Sequence, residues 1–158
     1  MKIITNHNDI VKYLPLMIQK KLPEEVVVKN VSAAESQRLN REYRGKDKPA
    51  NVLSFFYSAS AMSSSRKRGS RIKKGLDSRV RGNDKNTETY GEILVCPEIT
   101  AREAKEQGNT QEFQMTWYIL HGMLHLAGVH HEKSAKAEKK VEEMEQKILR
   151  KLFPEKKI

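Results

Sequence analysis

The sequence predicts an α/β (α+β) fold in which a single small mixed β-sheet is packed by about five helices. Three observations lead there. The runs "EEVVVKNV", "NVLSFFY" and "YGEILVC" are β-branched or aromatic and read as short strands. The segments between and after them repeat apolar residues at helical spacing. At 158 residues the chain can bury one substantial core but not two, so strands and helices share it.

Taken in order, residues 9–21 place Ile10, Tyr13, Leu14, Met17 and Ile18 on one helical face. The first strand, within 24–31, leads into "SAAE", where Ser32 and Glu35 form a capping box that opens a helix through about Tyr43. Gly45 stands where a C-terminal cap belongs. After the second and third strands, Pro97 suits the first turn of a helix running to Gln107, with Gly108 just beyond. A longer, central helix spans about 111–127, with Phe113, Trp117, Leu120, Leu124 and Ala127 inward. The last helix, from Glu132 to Phe153, turns Val141, Met144, Ile148 and Leu152 to the core. Its run "KSAKAEKKVEEMEQK" reads as a solvated face with opposite charges at favourable spacing.

The chain carries 30 Lys and Arg against 20 Asp and Glu, a net +10 that favours a polyanionic partner, nucleic acid before anionic membrane. Residues 58–89 hold nine of the basic residues and three acidic ones, with few large apolar side chains and no periodicity. Such a stretch cannot offset its ordering entropy, so it is expected to be a disordered basic insertion in a single domain spanning 1–158. No apolar run approaches the roughly 20 residues of a membrane helix. The opening residues lack the apolar core and cleavage site of a secretory signal. A lone cysteine, Cys96, excludes an intrachain disulfide and a cysteine-based zinc cage, and a cytoplasmic setting is expected.

The chemistry concentrates in "HGMLHLAGVHHEK", which holds four of the five histidines. His121 and His125 share a helical face, roughly 6 Å apart along the axis. Gly128 can end the helix in a left-handed turn and bring the chain back, so that a third histidine reaches the same point. His131 fits by spacing, with His130 the adjacent alternative. Three imidazoles with a fourth position open form a catalytic rather than a structural zinc site, so one Zn²⁺ per chain is expected. The spacing is that of metzincin proteases, but their general base follows the first histidine, and here that residue is Gly122.

"HGMLHLAGVHH" resembles the H-G-x-L-H-L-x-G-[YF]-D-H signature of the YbeY family, bacterial zinc-dependent endoribonucleases of rRNA maturation. "LNREYRGKDKPANVLSF" and "GEILVCPEITAREAKEQG" resemble two further blocks of that family. The resemblance implies one Zn²⁺ held by His121, His125 and His131, and single-strand-specific RNA cleavage. It also implies roles in maturation of the 16S rRNA 3′ end and in ribosome quality control, with an rRNA precursor and the small ribosomal subunit as partners and no membrane. It aligns the family's functionally important arginine with Arg44, so Arg44 and His121 are the residues expected to carry catalysis. The chain departs from the family where His130 replaces an aspartate, Ala50 a threonine and Phe56 a proline. The competing expectation is a non-catalytic RNA- or ribosome-binding assembly factor with a structural zinc. A zinc peptidase is the weakest reading, because of Gly122.

Overall fold

The computed structural model describes residues 7–58, 89–131 and 134–156. In chain order they form α1 (His7–Tyr13), α2 (Leu16–Gln19), β1 (Glu25–Asn30), α3 (Ala33–Arg44), β2 (Val52–Ser58) and β3 (Thr89–Val95). Then follow α4 (Pro97–Glu106), α5 (Gln111–Leu126) and α6 (Ala135–Leu152). The architecture is the mixed α+β fold that the three apolar runs and the helical periodicities imply.

The sheet has the order β1-β3-β2. β1 runs parallel to β3, from Glu25↔Tyr90 to Asn30↔Val95, and β2 runs antiparallel to it, from Val52↔Val95 to Ser58↔Thr89. The strand in the middle is the one whose sequence is apolar on consecutive positions: Ile93, Leu94 and Val95 are all buried. Both faces of a central strand are covered, so it loses the polar alternation of a half-exposed one. Val26, Val28, Val52, Ile93 and Val95 on one face join Ile10 of α1, Ile18 of α2 and Leu14 between them in the main core. The same core takes Phe113, Ile119, Leu120, Met123, Leu124 and Leu126 of α5, and Val141, Ile148 and Leu149 of α6. Each such side chain contributes roughly 1.5–3 kcal/mol when fully buried.

Several elements depart from the expected bounds for identifiable reasons. The helix expected over 9–21 is two pieces, because Pro15 adopts an extended ψ of 139° and restarts the chain as the N-cap of α2. Ile10, Leu14 and Ile18 are buried, whereas Tyr13 and Met17 face solvent. At α3 the Ser32 hydroxyl accepts from the Glu35 N–H at 3.2 Å. The Glu35 carboxylate turns instead to Arg38 at 2.6 Å, so only half of the capping box forms. The last helix begins at Ala135 rather than Glu132, since the extended Ser134 accepts from the Ala137 N–H and caps it there.

The basic insertion and the opening "MKIIT" lie outside the described residues. The described ends of that insertion are informative nonetheless. Ser58 and Thr89 are paired strand residues directly opposite one another. A two-residue Asn-Gly turn has the geometry to join such a pair. Replacing residues 59–88 with Asn-Gly is expected to preserve cooperative thermal unfolding with an equal or higher midpoint. Loss of a cooperative transition would make the segment part of the fold.

Candidate metal centre

α5 owes its position to burial on several sides. Thr110 caps its start by accepting from the Phe113 N–H at 3.2 Å. Midway along, a Cβ on Gly122 would lie 2.9 Å from Ser54 Oγ and 3.0 Å from Ile93 Cγ2. Glycine at 122 therefore lets the helix backbone approach β2 and β3 closely. The position faces the sheet, and a glutamate there would have no room.

The C-terminus of α5 is a Schellman turn. Gly128, at φ 78°, donates its N–H to the His125 carbonyl, and Val129 donates to Leu124, both at 2.9 Å. This reversal carries the chain back along the helix end and returns His131 to the histidines of the last two turns. His125 Nε2 lies 2.9 Å and His131 Nε2 3.3 Å from His121 Nε2. Ligand nitrogens of all three lie within 4.8 Å of one another, and the three residues are half-buried. His130, by contrast, is exposed, with its ring 5.9 Å from that of His125. The cluster of three thus comprises His121, His125 and His131.

His121 is held from behind. Its Nδ1 lies 2.5 Å from Glu145 Oε1 on α6, and the Trp117 indole N–H donates to Glu145 Oε2 at 2.9 Å. Glu145 is only 4% exposed, so its run on α6 is not the wholly solvated face that its charges suggest. Sequence reasoning missed this residue. The available signal was its place on the apolar stripe of α6, four positions after Val141 and three before Ile148.

These groups can hold a metal ion. Glu145 engages His121 through Nδ1, so Nε2 is the ring nitrogen turned toward the cluster. Converging imidazole nitrogens at 2.9 and 3.3 Å are close to the roughly 3.3 Å that two ligands span on a tetrahedral ion bound at about 2.0–2.1 Å.

Arg44 comes from a different element, α3. It is exposed at the last position of α3, followed by Gly45 as the left-handed C-cap. The preceding ring, Tyr43, meets Phe55 edge-on at 5.1 Å. Phe55 alternates with Ser54 along β2 and so points to the sheet face away from Gly122. The phenols of Tyr57 and Tyr118 are both pushed up to about 12, first by burial and then by the neighbouring Glu92 and Glu103 carboxylates. Both remain protonated near neutrality and cannot serve as bases there.

The family model described as "Endoribonuclease YbeY" matches residues 2–153 of this chain. The chain is similar to proteins named Endoribonuclease YbeY from Halorhodospira halophila and Aromatoleum aromaticum. The first is 37% identical over 125 residues, 79% of this chain and 68% of that protein. The second is 36% identical over 125 residues, 79% of this chain and 64% of that protein. The chain thus spans about two thirds of the length of the curated relatives it matches. It is also similar to a Thermotoga maritima protein solved in solution, with 29% identity and a TM-score of 0.52 over 94% of this chain and 81% of that one.

The geometry separates the two adjacent histidines. His131→Ala and His121→Ala are expected to lose stoichiometric divalent-metal binding, whereas His130→Ala retains about one ion per chain. Elemental analysis of the purified variants checks this. Full metal content in His131→Ala would remove that residue from the site.

Proposed function

The chain belongs to the YbeY endoribonuclease family, and on that premise we propose that it is a single-strand-specific, zinc-dependent endoribonuclease acting in rRNA processing. The observation that carries the reading is the cluster of three half-buried imidazoles backed by a buried carboxylate. Imidazole donors with an open fourth position suit zinc in a catalytic role. When bound, zinc supplies Lewis acidity toward water and phosphate oxygen. The three histidines bind and orient it, and His121 is the ligand whose direction is set from behind.

Arg44 supplies the second element. Its planar guanidinium can grip one phosphate of a single strand bidentately, and the exposed Lys46 and Lys48 beside it add diffuse attraction. A net charge of +10 supports binding to a polyanion, with the salt dependence that follows from counterion release. The substrate in this reading is an rRNA precursor at the 3′ end of 16S rRNA, met on the small ribosomal subunit, with a further part in ribosome quality control. Residues 1–158 act as one domain, in the cytoplasm. Among the described residues no helix is long and apolar enough to cross a membrane.

Gly122 speaks against peptidase chemistry, because the helix position that would carry the glutamate base is pressed against Ser54 and Ile93. The same absence of a carboxylate favours a second reading, an RNA-binding assembly factor in which the metal only secures the turn after α5. Cleavage separates the two. Purified protein is expected to cut a labelled single-stranded RNA and leave its duplex intact, and His125→Ala to abolish cutting while RNA binding persists. Arg44→Ala is expected to slow single-turnover cleavage at saturating RNA by on the order of 10- to 100-fold, the worth of a charged hydrogen bond. Equal cleavage by wild type and His125→Ala would identify a contaminating nuclease and support the assembly factor.

A further inference from the structure

Among the acidic residues of α6, Glu145 is set apart by burial. Glu142 and Glu143 are exposed, whereas Glu145 is 4% exposed within a helix that otherwise turns Val141, Ile148 and Leu149 inward. Removing a carboxylate from water is strongly unfavourable unless its oxygens are hydrogen-bonded. Here each oxygen has its own donor: His121 Nδ1 at 2.5 Å on Oε1, and Trp117 Nε1 at 2.9 Å on Oε2. Trp117 and His121 are four apart on α5, so both donors project from one stripe of that helix and a single carboxylate spans them.

We infer that Glu145, held by Trp117, is a positioning residue for the metal: it selects the nitrogen of His121 that binds and fixes its direction. This rests on the zinc reading above. The nitrogen engaged by Glu145 is Nδ1, and the nitrogen facing His125 and His131 is Nε2. A clamp that merely tied α5 to α6 would work equally through either ring nitrogen. The observed pairing instead puts the proton on the side away from the cluster and leaves the lone pair on the side toward it. The indole can only donate, so it fills Oε2 without competing for the imidazole proton and holds the carboxylate plane in place. Glutamine at 145 keeps the shape but not the function. Its carbonyl can accept from one of the two donors, and its amide group then faces the other donor N–H.

Zinc affinity measured by competition with a chromophoric chelator tests the role, with far-UV dichroism and melting of the metal-free proteins as the fold control. Glu145→Gln is expected to weaken zinc binding by on the order of 10- to 100-fold. Trp117→Phe, which frees Oε2 but leaves the His121 contact, is expected to weaken it less. In the metal-free wild type, nitrogen-15 spectra at alkaline pH are expected to show the His121 proton on Nδ1. A folded Glu145→Gln protein with wild-type zinc affinity would overturn the positioning role while leaving the metal site standing. Should Glu145→Gln not fold, the wild-type spectrum decides, and a His121 proton on Nε2 overturns the role. A wild-type protein that binds no zinc overturns the metal reading and this role together.

Discussion

The rotation of α5 about its own axis is the constraint on which the site depends. Ile119, Leu120, Met123, Leu124 and Leu126 are all buried, and Gly122 presses the backbone onto Ser54 and Ile93. A helix fixed by that many contacts cannot turn by even one residue without exposing apolar side chains or clashing with β2 and β3. The half-buried stripe that remains carries Trp117, His121 and His125 at i, i+4 and i+8. Packing of the core thus determines where the imidazoles stand before any ligand is considered.

Two further elements complete the arrangement, and each solves a different problem. The Schellman turn at Gly128 answers the unsatisfied carbonyls at the end of α5 and, by reversing the chain, delivers His131 to the helix it has just left. α6 returns across α5 and sets one buried carboxylate behind His121. The site is therefore packed on its protein side and half-exposed on the other. That is the combination expected where a metal must be held firmly while a substrate atom can still reach it.

Much of this was legible in the sequence, and what was not has physical causes. The strands showed because β-branched runs bounded by turn residues have few other uses. The histidine cluster showed because helical spacing and a glycine hinge are local features. Glu145 did not, since its burial depends on Trp117 and His121, 28 and 24 residues away, and a glutamate amid lysines looks solvated until those partners are placed. The break at Pro15 was readable from the missing N–H, but the apolar residues on both sides imitate one continuous helix. Strand order was not read from the sequence either, although the consecutive apolar residues of β3 carried a signal for it: β3 comes last yet lies between β1 and β2, covered on both faces.

The central claim is that three imidazole nitrogens from the end of α5 and the turn after it converge on one zinc ion with a position left open. X-ray absorption at the zinc edge of the loaded wild-type protein addresses it most directly. The account predicts a four-coordinate ion with three imidazoles at about 2.0–2.1 Å and one further light ligand. A spectrum requiring two or fewer imidazoles, or a sulfur ligand at about 2.3 Å, would contradict it.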